Sequence, residues 1–147
     1  MLFHFFPSVF IIGRKGLLFK DRFLIDEYGI VKDIVFSNFN VTGNDGVEGL
    51  TRTNRGIIEN IVITSGNVSG DATVGGIAGF NYGTIRTSSF SGSINSRSGN
   101  AGGIAGSNSG TIRNCNVTGT VTGNTANNGI AGVVGSNTGS VENSFFN

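Results

Sequence analysis

The stretch GIAGFNYGTI, residues 76 to 85, returns as GIAGSNSGTI at 103 to 112. It returns again, altered, as GVVGSNTGSV at 132 to 141, and a more distant version, GLTRTNRGII, stands at 49 to 58. Four related strings at a regular interval point to architecture, because stacked units lean on their neighbours and need the same residues at the same places. Four copies of one active site in so short a chain make no chemical sense.

The register extends beyond the strings. Gly29, Gly56, Gly83, Gly110 and Gly139 are spaced by 27, 27, 27 and 29 residues. Asn54, Asn81, Asn108 and Asn137 stand two positions before the last four of these glycines, while the first coil has Glu27 at that place. Val31, Ile58, Ile85, Ile112 and Val141 follow two positions after the glycines, and Phe36, Ile63, Phe90, Val117 and Phe146 come five residues later. The repeat covers residues 22 to 147.

No helical period runs through this unit. Each copy offers three short β segments: Gly-Ile-Ala-Gly as at 76 to 79, Gly-Thr-Ile-Arg as at 83 to 86, and a longer run such as NVTGTVTG at 116 to 123. Strands so short bury no core alone, but stacked coils pair each strand in parallel with its copy ~4.8 Å above. The expected fold is therefore all-β, a parallel β-solenoid of four to five 27-residue coils with about three short strands each. The crossover rule for parallel strands makes it right-handed. Leu50, Ile77, Ile104 and Val133 are expected to stack as one inward ladder; Ile58, Ile85, Ile112 and Val141 form another. β-branched side chains suit such stacks.

At the Asn-x-Gly corner the glycine is expected to take φ > 0, where a Cβ would clash. The asparagine is expected to bond nearby backbone and its own counterpart in the next coil. A phosphate-binding loop is a poor reading, since no P-loop lysine follows and no helix opens after the glycines.

Composition fits a folded but unusual surface. Glycine accounts for 25 of 147 residues and proline for one; 37% are hydrophobic, including 12 Phe, and only 13% are charged. A net charge of +1 gives no electrostatic reason to expect nucleic acid. After Asn60 the charged residues are Asp71, Arg86, Arg97, Arg113 and Glu142, so Ser, Thr, Asn and Gly make most of that surface.

The string Gly-Ile-Ala-Gly-x-Asn-x-Gly-x-Ile, followed by RNC and NVTGTV, resembles the GLUG motif of bacterial surface proteins. The segment YGIVKDIVFSNFNVTG at 28 to 43 is similar to the coil that opens such arrays. Related repeats occur in large adhesins and in the N-terminal regions of immunoglobulin-A-cleaving metallopeptidases. The resemblance implies a stalk or adhesive module at the cell surface or secreted, with activity residing in other domains. The metallopeptidase histidines have no counterpart, since His4 is the one histidine.

Candidate chemistry is sparse. His4 stands alone among aromatics, and Cys115 occupies a place held by Ile34, Ile61, Ser88 and Ser144 in other coils, which reads as a small stacked side chain. Asp45, Glu48, Asp71 and Glu142 do not recur in register, as a calcium-dependent solenoid lyase would require. GNDGVEG at 43 to 49 lacks the alternating acids of a calcium loop. Asn40, Asn67 and Asn116 begin Asn-x-Ser/Thr sequons, which the repeat itself accounts for. No catalytic residue, cofactor or metal is expected. Length varies in GDATVG at 70 to 75, SRSGNAG at 96 to 102 and GNTANNGIA at 123 to 131. Insertions in solenoids map to one face, often the binding face. Asp71, Tyr82, Arg97, Asn124 and Asn127 are the candidate contacts there for carbohydrate or protein.

Residues 1 to 21 read as an N-terminal cap or imperfect first coil; the apolar 1 to 12 are shorter than a membrane span of ~20 residues. Basic Arg14 and Lys15 follow that stretch, whereas a signal peptide places its basic residues first. At the other end SFFN breaks off in mid-coil, and Phe145 and Phe146 are expected to drive end-to-end association of the isolated chain. The expectation is thus a non-catalytic structural or adhesive module. A solenoid glycosidase or lyase would instead gather titratable residues on one face. An ice-binding solenoid would need a flat Thr-x-Thr row, which TGTVT at 118 to 122 alone approaches.

Overall fold

The computed structural model describes residues 17–20, 28–43, 47, 49–124, 126 and 129–147, with backbone alone for 17–20. The segment 1–12 with His4, and Glu27, Asp45, Glu48 and Asn127, lie outside the described residues. Among the described residues every regular element is a strand, and the strands stack in parallel as a β-solenoid of about four turns.

One coil shows the path. Val74–Gly75 is a two-residue strand, and a bend at Gly76 and Ile77 leads into Ala78–Asn81. The corner Tyr82-Gly83 follows, then Thr84–Arg86, a bend at Thr87, and the long strand Ser89–Ser96. A turn returns the chain one rung higher at Ala101–Gly102. The Gly-Ile-Ala-Gly segment thus starts its strand two residues later than the sequence indicates, and Asn81 is its last residue. Val74–Gly75 is a fourth, very short segment, repeated in the next two coils: it pairs with Ala101–Gly102 and through it with Ile130–Ala131.

Four faces result. The narrow face stacks Thr51–Asn54, Ala78–Asn81, Ala105–Asn108 and Val134–Asn137. A ten-stranded sheet folds into two more, a corner face after the Asn-x-Gly turn and a broad face beyond it. In the second coil one strand, Ile57–Gly70, spans both. Leu17–Lys20 extends the broad face by pairing with Phe39–Thr42.

The fold between corner face and broad face falls on Asp33, Asn60, Thr87, Asn114 and Asn143, whose φ angles are 60, 52, 51, 53 and 45°. Left-handed backbone turns the strand, and Asp and Asn tolerate it because their short polar side chains bond locally. The corner glycines Gly56, Gly83, Gly110 and Gly139 are not in the positive-φ region, which among the described glycines holds Gly92 and Gly119. The asparagine makes the corner instead: its Oδ1 accepts from the glycine N–H two residues on, at 3.1 Å for Asn54 and 3.2 Å for Asn108 and Asn137. Glycine is needed there for a different reason. A Cβ on Gly83 would land on the carbonyl oxygen of Gly56 one rung below, and one on Gly110 on that of Gly83.

Alternation then fills the interior. Ile58, Ile85 and Ile112 pair in register and are buried, as are Ile63, Phe90 and Val117 on the broad face. Leu50, Ile77 and Ile104 point inward beside the narrow face, each bonded N–H to C=O with the next rung at 2.8, 3.0 and 2.9 Å. Each such fully buried side chain contributes roughly 1.5–3 kcal/mol. Val141, Phe145 and Phe146 on the last rung are exposed.

Candidate functional site

The corner carries the most specific geometry. Asn54 donates from Nδ2 to Asn81 Oδ1 at 2.7 Å, Asn81 to Asn108 Oδ1 at 2.7 Å, and Asn108 to Asn137 Oδ1 at 2.8 Å. The same Nδ2 groups reach forward to the carbonyls of Thr84, Thr111 and Ser140. Asn54, Asn81 and Asn108 are buried and Asn137 is exposed. Every buried amide in the column is satisfied, so the row is a structural spine rather than a reactive one.

A second polar column runs inside the bend. Ser88 Oγ donates to the Arg86 carbonyl at 2.9 Å and accepts from the Ile61 N–H at 3.1 Å. Cys115 holds the same place one rung up: its N–H donates to Ser144 Oγ at 3.1 Å and its thiol faces the Arg113 carbonyl at 3.3 Å. Burial pushes the Cys115 thiol above its ordinary pKa, against smaller opposing effects of backbone bonds at Ser88 and Arg113. A thiol so placed is poorly ionised and therefore a poor nucleophile.

The turn after the broad face brings together part of the sequence-predicted set. Arg97 pairs with Asp71 at 2.5 Å, and Ser98 Oγ bonds the Asp71 carbonyl. Asn124 stands on the next rung, its N–H donating to the Ser96 carbonyl at 3.2 Å and its Oδ1 accepting from the Ala126 N–H at 3.2 Å. Both partners of the Asp71–Arg97 pair are substantially exposed, so the pair contributes ~0–1 kcal/mol. Tyr82 is not on this turn. It occupies the middle position of the Asn-x-Gly corner, between Asn81 and Gly83, on a different edge of the coil.

Register discloses an arrangement that motif reading missed. The middle corner positions are Tyr28, Arg55, Tyr82, Ser109 and Thr138, one per rung. The Arg55 guanidinium lies over both tyrosine rings, 5.9 Å from the centroid of Tyr28 and 5.0 Å from that of Tyr82. Ser109 and Thr138 share a hydroxyl hydrogen bond of 2.9 Å. Tyr28 and Tyr82 are 68% and 52% exposed, so the corner is a ridge of stacked flat groups in solvent. The signal was the spacing 28, 55, 82, hidden by the change of residue type along the column.

Outward on the corner face another column runs Lys32, Glu59, Arg86, Arg113, Glu142, with Arg86 paired to Glu59 at 3.1 Å. On the broad face Thr118, Thr120 and Thr122 are exposed, but Ser91, Ser93 and Asn95 stand beneath them, so the threonine row is one rung deep on that side. Among the described residues no three His, Cys, Asp or Glu side chains gather as a metal site would require, and no helix is long and apolar enough to cross a membrane.

The family model of the GLUG motif matches residues 70–95 and 98–122, so the chain carries GLUG repeats in two successive coils. No curated protein and no solved structure matches the chain.

Proposed function

We propose that this GLUG-repeat solenoid is a non-catalytic structural and adhesive module of a bacterial cell-surface or secreted protein, and that it engages carbohydrate or protein through side chains on its edges. The carrying observation is the constancy of the cross-section: Asn54, Asn81 and Asn108 link rung to rung with the same bonds, while the outward corner residues vary freely. A spine that repeats while its outward residues differ is how a solenoid offers an extended, adjustable contact surface. The resemblance to adhesin repeats supports the surface location. The stacked turns at Asp71, Arg97 and Asn124 and the corner ridge of Tyr28, Arg55 and Tyr82 are the two edges with side chains suited to contact.

The test reads binding and turnover together. The chain is passed over immobilised polysaccharides and matrix proteins, and both retained chain and released product are measured. Retention without product is expected. Release of sugar, peptide or ester product would contradict the non-catalytic reading.

A further inference from the structure

The corner ridge ends in a step. On Tyr28, Arg55 and Tyr82 the column is built of long, flat side chains; on the next two rungs it is built of Ser109 and Thr138. Arg55 takes one face of the Tyr82 ring, its guanidinium carbon 5.0 Å from the centroid. Because Arg55 stands on the preceding rung, the opposite face is the one on the side of Ser109, and Tyr82 keeps half its surface in solvent. A flat group laid on that face would stand at the height of Ser109, because successive rungs are ~4.8 Å apart. It would fill the place that a long side chain would take if the ridge continued.

We propose that this step binds a neutral pyranose unit of a polysaccharide, with the C–H face of the sugar on the Tyr82 ring and its hydroxyls on those of Ser109 and Thr138. The apolar face of a sugar ring and its equatorial rim of hydroxyls need one flat aromatic platform with donors and acceptors at its edge. Each side-chain hydroxyl carries one donor and two acceptor sites. The mutual bond of Ser109 and Thr138, with the longer contact from Thr138 to the Asn108 carbonyl at 3.4 Å, leaves acceptor capacity on both. Ser109 and Thr138 bring hydroxyls and no charge to the rim of the step, which suits the hydroxyls of a neutral sugar, and the Arg55 guanidinium lies on the far face of the Tyr82 ring. The platform is pre-set, because the corner beneath it is fixed by the Asn81–Asn108 bond and the backbone bonds from Tyr82 and Gly83 to the Asn54 carbonyl. This rests on the binding-module reading and, of its two edges, assigns the sugar contact to the corner.

The chain has two tyrosines and no tryptophan, and both tyrosines belong to this stack, so tyrosine emission reports the site directly. The full chain is titrated with cellohexaose, β-1,4-galactohexaose and N-acetylchitohexaose, with calorimetry for affinity and tyrosine emission for location. At least one probe is expected to bind saturably and change the emission. Tyr82→Phe is expected to hold affinity within about twofold, whereas Tyr82→Ser and Ser109→Arg weaken it by about tenfold or more, at unchanged melting temperature. The arginine variant keeps Tyr82 in place and covers its open face. Absence of binding by all three probes overturns the proposal. Binding that survives both Tyr82→Ser and Ser109→Arg also overturns it, and leaves the module's binding to the Asp71, Arg97 and Asn124 turns. Continuous heat from probe cleavage would instead overturn the non-catalytic reading.

Discussion

Asn81 donates from Nδ2 to Asn108 Oδ1 at 2.7 Å, and both side chains are buried, at 1% and 0% exposure. Asn108 passes the same bond on to Asn137 at 2.8 Å and takes the Gly110 N–H at 3.2 Å. Asn108→Ala therefore removes the shortest acceptor of Asn81 Nδ2, leaving it the longer contacts to the Gly83 and Thr111 carbonyls at 3.3 Å, and opens the Gly110 corner, at a cost of about 1–3 kcal/mol. Asn95 is exposed, with one surface bond from Thr122 at 3.2 Å, and Asn95→Ala is expected to cost less than about 0.5 kcal/mol. Urea titration of the two variants checks the difference, and equal losses would contradict the ladder.

Thr87 holds φ 51°, the place that Asn60, Asn114 and Asn143 hold in neighbouring coils. A β-branched residue is strained there, while asparagine tolerates the conformation. Thr87→Asn is expected to stabilise the protein by about 1 kcal/mol. Thermal melting reads the change. A loss of stability would mean that the threonine is held by contacts stronger than its strain.

The Cys115 thiol has its pKa raised by burial, so the unfolded chain releases this proton at lower pH than the folded one. The group's contribution is intact below the ordinary thiol pKa of about 8.5 and is lost as pH rises through and above it. Stability of the native chain minus that of Cys115→Ser should therefore fall above that pH and be flat below. The serine variant should itself fold, since Ser88 and Ser144 bond the Arg86 and Glu142 carbonyls from the same place in adjacent rungs, each at 2.9 Å. A difference that is constant with pH would contradict the buried thiol.

The repeat was legible because stacking demands the same residue at the same place. Asn54, Asn81, Asn108 and Asn137 recur at the same place in each repeat, and the parallel register follows that recurrence. The bend residues are not legible in the same way, since Thr87 interrupts a row of Asp and Asn, and an Asn-x-Gly string suggests positive φ at glycines that do not adopt it. Glycine in a sequence has two explanations, backbone conformation and close approach. Gly83 and Gly110 have the second, which depends on where the next coil's carbonyl falls. The tyrosine–arginine ridge escaped notice for an opposite reason: a column of unlike residues satisfies stacking as well as a column of like ones, and only the register joins Tyr28, Arg55 and Tyr82. The turn residues Asp71 and Arg97 were legible as variable positions, but their pairing needed the rung geometry.

Residues one repeat apart are neighbours on successive rungs, in register. Lys32, Glu59, Arg86, Arg113 and Glu142 form one outward column, so Lys32 and Glu142 stand four rungs apart. With Cys115→Ser as background, spin labels at cysteines replacing Lys32 and Glu142 can be measured by pulsed electron spin resonance. Four rungs of ~4.8 Å place their backbones about 19 Å apart, and a single narrow distribution near 20 Å is the expected result. A mean beyond about 35 Å, or a broad distribution without a peak, would contradict the parallel stack, since four rungs at the strand spacing cannot span that distance.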